Sequence, residues 1–191
     1  MSKTIENLSK AFAGESQARN RYTMFSKVAK KEGYEQIAAI FLETADQERE
    51  HASKLFEYIN EIKEGINVVN VETSVPNIYS NTIDNLKSAI VGETDEFENM
   101  YPSFAQIAIE EGYTEIGNKL NLIAVAEKHH KERYEKLLKN LEEGKVFKKD
   151  KKVFWVCREC GFVYYGESAP EVCPCCGHPQ AFYQVQEENY N

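Results

Sequence analysis

The first 156 residues contain no cysteine, and all five cysteines lie between Cys157 and Cys176. The larger part of the chain therefore has no disulfide bond to stabilise it. No apolar run is long enough to span a bilayer, and residues 1–10 lack the apolar core of a signal peptide. We therefore expect a cytoplasmic protein without a membrane-spanning segment.

Positive charge is also in short supply. The 23 Lys and Arg residues are outnumbered by 31 Asp and Glu residues, which gives a formal net charge of −8 and a pI near 5.2. A phosphate backbone or an anionic membrane needs a basic surface. The composition therefore opposes nucleic-acid and membrane partners.

An internal repeat carries the main chemical signal. Glu48-x-x-His51 recurs as Glu127-x-x-His130, at an offset of 79 residues. A Glu and a His three residues apart project from the same face of a helix, so each pair can reach one point in a helical bundle. Two such pairs facing each other predict a site for two metal ions.

The repeat extends beyond these pairs, with one irregularity. Gly33 matches Gly112 at the same offset of 79, but Glu15 matches Glu93 at 78. The second copy therefore holds one extra residue between Glu93 and Tyr101. If that stretch stays helical, the insertion predicts a π-bulge, a widened turn that is frequent at functional sites.

Apolar residues at steps of three and four predict four helices. The two glycines separate the helices of each half, and residues 65–79, with Pro76, form a long connection between the halves. This is the connectivity of a ferritin-like four-helix bundle with one long crossover. We expect a mainly α protein, with this bundle in residues 1–147.

Ionisable residues occupy positions that the helical period assigns to the buried face. An unpaired buried carboxylate costs roughly several kcal/mol, so a cluster of them requires cations. The metal-ligand candidates are Glu15, Glu48, His51, Glu93, Glu127 and His130, with Glu96 one residue off the face. Tyr22 and Tyr101 lie two turns beyond Glu15 and Glu93, where they either fill the core or donate hydrogen bonds to ligand carboxylates or a bound oxygen species.

Residues 148–191 differ in composition and predict a small second domain. Cys157-x-x-Cys160-Gly and Cys173-x-x-Cys176-Gly can form two knuckles that place four thiolates around one metal ion. Cys175 offers a further thiol, but only Cys176 preserves both the spacing and the following glycine. We therefore assign Cys176 as the ligand and Cys175 as a free thiol.

Four thiolates bind either zinc or iron, and their geometry does not choose between them. A zinc site would make the small domain structural or a docking module, whereas an iron site would carry single electrons. The neighbouring two-metal site favours iron, because a di-iron centre that turns over needs electrons. Iron storage with ferroxidase activity is a rival hypothesis for the bundle, and a zinc ribbon docking a helical scaffold is another.

Four stretches resemble those of the rubrerythrin family: residues 11–22, residues 43–51, residues 100–104 and the C-terminal cysteine pairs. The resemblance spans the whole chain. It implies a ferritin-like di-iron bundle followed by a rubredoxin-like β domain. It also implies a peroxidase that reduces hydrogen peroxide to water and protects an anaerobe or microaerophile from oxidative stress.

The resemblance also implies site residues and partners. The di-iron ligands would be Glu15, Glu48, His51, Glu93, Glu96, Glu127 and His130, and the ligands of the third iron would be Cys157, Cys160, Cys173 and Cys176. Glu96 has no equivalent in the first half, so one iron can exchange Glu96 for His51, with Tyr22 or Tyr101 managing protons. A head-to-tail homodimer would bring one chain's Fe(Cys)4 iron near its partner's di-iron site. Electrons would come from a rubredoxin or an NAD(P)H-dependent reductase.

Overall fold

Four long helical segments dominate the computed structural model, which describes residues 2–187. The segments are α1 (Lys3–Lys31); α2 (Glu35–Ile62); α3 (Thr82–Asp95) continued by a π-helical turn (Glu96–Met100) and α4 (Tyr101–Glu110); and α5 (Thr114–Glu142). Residues 63–81 connect the two halves without helix or strand. The predicted four-helix bundle with one long crossover is confirmed.

The predicted widening of the third segment is also confirmed. The amide of Tyr101 donates to the carbonyl of Glu96, an i to i+5 hydrogen bond within the π-helical turn. The turn absorbs the one extra residue of the second half. Glu93 and Tyr101 can therefore both face the bundle interior although eight residues, not seven, separate them.

Glycines end the first helix of each half at the same place. Gly33 has φ +86° and Gly112 has φ +91°, the left-handed conformation that glycine adopts without strain. The amide of the following Tyr34 donates to the carbonyl of Ala29 at 2.9 Å, and Tyr113 donates to Ala108 at 2.8 Å. Each turn is therefore a Schellman motif that reverses the chain into the next helix.

The two hairpins cap each other's helices. The carboxylate of Glu111 accepts from the amides of Lys3 and Thr4 at 2.9 and 2.8 Å, at the start of α1. The carboxylate of Glu32 accepts from the amide of Thr82 at 3.0 Å, at the start of α3. A carboxylate at a helix N-terminus satisfies free amides and complements the helix dipole. The repeated halves are thus joined reciprocally at opposite ends.

Two apolar clusters form the core of the bundle, one toward each end. The cluster toward the α1–α2 turn includes Tyr22, Phe25 and Phe41, and the other includes Leu8 and Tyr101. All five side chains are fully buried. A polar layer therefore lies between the two apolar clusters, and it contains the ionisable residues.

The small domain is a three-stranded antiparallel sheet with strand order β2-β1-β3. Its strands are β1 (Lys148–Cys157), β2 (Val163–Ser168) and β3 (Tyr183–Val185), and a 3₁₀ turn (Gln180–Phe182) precedes β3. Trp155 is fully buried and its indole nitrogen donates to the carbonyl of Gly166 at 3.0 Å. The sheet supplies the rigid base for the cysteine-bearing turns.

The small domain contacts the bundle at the α1–α2 turn. The rings of Tyr34 and Phe147 stack with centroids 6.2 Å apart, and Lys149 Nζ donates to Asn140 Oδ1 at 3.0 Å. Phe147 also packs against the small domain's core, so the division between residues 147 and 148 stays a prediction. Among the described helices, none is both long and apolar enough to cross a membrane.

Candidate metal centres

The bundle interior brings together six of the ionisable residues that the helical period singled out. Glu15 lies on α1, Glu93 on α3, and each of α2 and α5 supplies one Glu-x-x-His pair. The carboxylates are at most 1% exposed, and His130 is 2% exposed. Carboxylates so deeply buried require compensating charge.

These residues form two overlapping groups whose potential ligand atoms lie within 4.8 Å of one another. One group contains Glu15, Glu48, His51 and Glu127; the other contains Glu48, Glu93, Glu127 and His130. Glu48 and Glu127 belong to both groups, whereas Glu15 and Glu93 each belong to one. The arrangement therefore offers two adjacent metal positions.

The two shared carboxylates divide their oxygens between the histidines. His51 Nδ1 lies 2.9 Å from Glu127 Oε1 and 3.0 Å from Glu48 Oε2. His130 Nδ1 lies 2.8 Å from Glu127 Oε2 and 3.2 Å from Glu48 Oε1. Glu48 and Glu127 are therefore placed to bridge two ions, with one histidine and one further carboxylate on each side.

The surroundings of the cluster shift the pKa of Glu93, Glu15 and His130. Burial and the charge of Glu48 raise the pKa of Glu93 to about 8, and burial and the charge of Glu127 raise that of Glu15 well above its usual range. Burial opposes charge on His130, but the close carboxylates of Glu127 and Glu48 outweigh it and raise the pKa of His130 to about 12. When no metal ion is bound, protons therefore compensate the negative charge of the buried carboxylates.

Unsatisfied polar atoms show that the residues fit metal ions. Within the described chain, these buried atoms lack a hydrogen bond of acceptable geometry: Glu15 Oε2, Glu48 Oε1, Glu93 Oε2, both oxygens of Glu127 and His130 Nδ1. Buried polar atoms are normally paired, and unpaired ones call for an ion or another partner. Carboxylate and imidazole ligands converging from four helices suit iron.

Tyr22 and Tyr101 take the hydrogen-bonding role, not only the core-filling one. Tyr22 Oη donates to Glu93 Oε1 at 2.5 Å, and Tyr101 Oη donates to Glu15 Oε1. Burial raises the pKa of both phenols well above their usual range, so both remain neutral donors. Each phenol therefore holds the carboxylate that belongs to a single metal position.

Glu96 lies at the start of the π-helical turn and outside both four-residue groups. Burial and the charges of Glu93 and Glu127 raise its pKa well above the usual range, so those carboxylates are near enough to interact with it. His51, the residue with which Glu96 is expected to exchange, is within a group. The assignment of Glu96 as a ligand stays a prediction.

The four predicted cysteine ligands converge in the small domain. Cys157, Cys160, Cys173 and Cys176 form one group with potential ligand atoms within 4.8 Å, and Cys175 is exposed and outside it. Gly161 and Gly177 have φ +74° and +75°, and their amides donate to the carbonyls of Cys157 and Cys173. These left-handed glycines close the two knuckles, as the sequence predicted.

The surroundings of one of these sulfurs favour the form that binds metal. Burial alone would raise the pKa of Cys173, but the nearby Tyr183 hydroxyl and Cys176 amide lower it to about 6. The thiolate is the form that binds metal. Tyr183 was not foreseen from the sequence, where nothing distinguishes it from the other aromatic residues of the domain.

Two further residues beside the bundle site were missed from the sequence. Gln47 Oε1 lies 3.0 Å from His130 Nε2, and Arg133 Nη2 lies 3.4 Å from the same oxygen. A comparison of the two halves contains the signal, because Gln47 aligns with Ala126 at the 79-residue offset. A polar residue beside a ligand in only one half marks a difference between the two metal positions.

Comparisons with known proteins agree with this geometry. The rubrerythrin family model matches residues 6–138, and the model described as "Rubrerythrin, rubredoxin-like domain" matches residues 155–184. Rubrerythrin-1 of Clostridium acetobutylicum is 51% identical over 98% of this chain and 96% of its own. Rubrerythrin of Nitratidesulfovibrio vulgaris is 47% identical over 99% of this chain and 97% of its own. A structure of partially reduced nigerythrin matches at a TM-score of 0.65 and 34% identity, covering 97% of this chain and 88% of the other.

The fold and the two sites define a ferritin-like di-iron carboxylate bundle joined to a rubredoxin-like iron domain. Its cofactors are a di-iron centre and one iron at the four cysteines, three iron ions in each chain. The chain belongs to the rubrerythrin family. This membership supports a function as an iron-based oxidoreductase in oxidative stress.

Proposed function

We propose that the chain is a peroxidase that reduces hydrogen peroxide to water in the cytoplasm of an anaerobe or microaerophile. One observation carries the proposal: a site for two metal ions with shared carboxylates and a four-cysteine electron-transfer site occur in the same chain. Storage of iron would need only the first site. Reduction of peroxide needs both, since each turnover consumes two electrons and two protons.

When bound, the irons supply the electrons that cleave the O–O bond and act as Lewis acids toward the oxygen products. The chain's own residues set the geometry for that chemistry. Glu48 and Glu127 fix the separation of the two metal positions, because each directs one oxygen to each histidine. Glu15 and Glu93 would each supply a further carboxylate ligand to one of the two metal positions.

Tyr22 and Tyr101 hold protons on Oη at the edge of the polar layer. The proposal gives them two tasks: they orient Glu93 and Glu15, and they deliver protons to oxygens released at the centre. Glu96 and His51 are the alternative ligands of one metal position. Glu96 is outside the ligand group and His51 within it, which supports the exchange.

Electrons would enter at the four cysteines from a rubredoxin or an NAD(P)H-linked reductase. The small domain contacts the α1–α2 turn, and Glu48 lies 13 residues beyond the start of α2. At 1.5 Å per residue, this is about 20 Å along the helix. The long separation within one chain supports a head-to-tail homodimer, in which the partner's Fe(Cys)4 iron would approach the di-iron centre more closely.

The reaction is tested with iron-loaded protein that has been reduced without oxygen. One sample is mixed with hydrogen peroxide and another with O2, and the return of visible absorption is followed by stopped-flow spectroscopy. The peroxidase proposal expects fast reoxidation by peroxide and slow reoxidation by O2. Faster reoxidation by O2, with ferric iron retained as a mineral, would instead establish ferroxidase and storage activity.

The dimer is tested by mixing two impaired variants. Glu96→Ala impairs the bundle site and Cys176→Ser disables the four-cysteine site, so each variant alone should turn over peroxide much more slowly than the parent. In a mixed head-to-tail dimer, the intact cysteine site of the first variant serves the intact bundle of the second. Recovery of activity after subunit exchange supports the arrangement, and no recovery in a verified mixed dimer contradicts it.

A further inference from the structure

The two histidines at the bundle site differ at the ring nitrogen that faces away from the carboxylates. His130 Nε2 lies 3.0 Å from Gln47 Oε1. Within residues 2–187, His51 makes hydrogen-bond contact only through Nδ1. The side chain of His51 is 17% exposed, against 3% for His130. His130 therefore has a hydrogen-bond acceptor at Nε2, and His51 has none there among the described residues.

Arg133 holds the side chain of Gln47 in place. Arg133 Nη2 donates to Thr44 Oγ1 at 2.5 Å and lies 3.4 Å from Gln47 Oε1, while Nη1 donates to Glu43 Oε1 at 2.6 Å. Arg133 follows His130 by three residues on α5, and its three partners lie on α2. Gln47 is thus held with its oxygen toward the imidazole.

A comparison of the two halves shows that the second half has no counterpart of these contacts around Gln47. At the 79-residue offset, the positions of Glu43, Thr44 and Gln47 are taken by Leu122, Ile123 and Ala126. The counterpart of Arg133 is Lys54, which is exposed and paired with Glu57. None of the three residues on α5 can accept a hydrogen bond from the side chain of His51.

We propose that Gln47 is a positioning residue that keeps His130 a permanent ligand, and that Ala126 in the matching place leaves His51 free to enter and leave the centre. The inference rests on the di-iron assignment of the proposed function. An acceptor at Nε2 fixes the proton there, directs Nδ1 to the metal and prevents the ring from turning. With no such acceptor, the His51 ring can rotate away at little cost.

The first test uses zinc, which binds the same ligands and is silent in NMR. In the zinc-loaded parent, one imidazole Nε2–H resonance should be protected from exchange, that of His130. Gln47→Leu should remove it, and Gln47→Glu, which keeps an acceptor, should restore it. A protected resonance that persists in Gln47→Leu would overturn the proposal, as would a parent spectrum with two protected resonances.

The second test gives the other half its missing acceptor. Ala126→Gln should add a second protected resonance, assigned to His51, because the amide would then reach His51 as Gln47 reaches His130. Competition with a chelator should show zinc binding weakened by about 10- to 100-fold in Gln47→Leu and regained in Gln47→Glu. Equal affinities in the parent and both variants would contradict a positioning role.

These tests distinguish a failure of the Gln47 proposal from a failure of the peroxidase proposal. If the zinc spectra behave as expected but iron-loaded protein does not react with peroxide, the proposed function is wrong and the positioning role of Gln47 is retained. If the parent reduces peroxide but Gln47→Leu changes neither the spectra nor the zinc affinity, only the positioning role of Gln47 is wrong. A loss of folding in Gln47→Leu is detected by circular dichroism, and the Ala126→Gln spectrum then decides the question alone.

Discussion

Tyr22 on α1 donates a hydrogen bond to Glu93 on α3, with Oη and Oε1 2.5 Å apart. The equivalent phenol of the second half, Tyr101, donates back across the bundle to Glu15. Each half therefore supplies the donor that positions the other half's carboxylate. Since all four residues are fully buried, neither phenol has water as an alternative partner.

Tyr22→Phe should destabilise the protein by roughly 1.5–3 kcal/mol, the usual range for a hydrogen bond to a charged group. The reason is that Glu93 would keep its buried position but lose its donor. Urea unfolding of iron-loaded protein measures the change. Peroxide turnover should also fall, because the carboxylate becomes free to move and a proton donor is lost.

The exposed Tyr79 provides a matched control for this substitution. It is 63% exposed in the crossover between α2 and α3, so Tyr79→Phe removes the same hydroxyl group without disturbing the core. Stability and turnover should match those of the parent. Equal effects of the two substitutions would show that the hydrogen bond to Glu93 contributes nothing.

Glu96→Ala should impair peroxide turnover by at least tenfold while leaving both iron positions filled. The two four-residue groups do not include Glu96, so the ligands that hold the ions survive the substitution. Its pKa is raised by burial and by Glu93, and removing such a carboxyl group should not weaken the fold. Iron content, thermal unfolding and the rate of peroxide consumption are measured together, and an unchanged rate contradicts the exchange between Glu96 and His51.

Metal-free protein should lose stability as the pH rises from about 5 to about 9, because the folded chain holds protons that the unfolded chain releases. Burial and Glu48 raise the pKa of Glu93 to about 8, and contacts with Glu127 and Glu48 overcome burial to raise that of His51 to about 10. A group with a raised pKa stabilises the fold below its unfolded pKa and loses that contribution as the pH passes through its folded value. Burial raises the pKa of Glu48, but the close imidazoles of His130 and His51 outweigh burial and lower it to about 2, so Glu48 does not titrate in this range.

Bound metal should make the free energy of unfolding depend less on pH, since cations replace the protons among the carboxylates. Metal uptake should accordingly release protons and become stronger at higher pH. Urea unfolding at a series of pH values, with and without zinc, checks both statements. A metal-free protein whose stability rises across the same range would show that the cluster is not held by protons.

Cys175→Ser should leave the small domain's iron and its visible spectrum unchanged, whereas Cys176→Ser should lose both. The two residues are adjacent and chemically identical, but only Cys176 lies in the four-cysteine group. Cys176 Sγ is 3.8 Å from Cys157 Sγ, while Cys175 is exposed. Retention of the spectrum in Cys176→Ser would mean that Cys175 serves as the ligand.

The helical period and the duplication together were sufficient to predict which side chains enter the bundle interior. Glu48 and His51 could be placed because a helix fixes the direction of residues three apart, and Glu127 and His130 followed by the same offset. The π-helical turn was predictable for a similar reason. One extra residue between two positions that face the same core must be accommodated within the helix.

Contacts between elements were less accessible from the sequence. The link from Gln47 to His130 depends on two side-chain rotamers on different helices, and helical period says nothing about these. The stacking of Tyr34 on Phe147 depends on the path that the chain takes after α5. Glu96 could be assigned from family resemblance, but its position outside both ligand groups depends on the local geometry of the widened turn.

The reciprocal caps have a consequence for the origin of the bundle. Glu111 accepts from amides at the start of α1 and Glu32 accepts from an amide at the start of α3, so each hairpin contributes a cap to the other. Two separate copies of one ancestral hairpin could make the same pair of contacts and the same shared carboxylate layer. The crossover then serves as a tether between two units that already recognise each other, and a chain cut within residues 66–78 should remain assembled as a two-part protein.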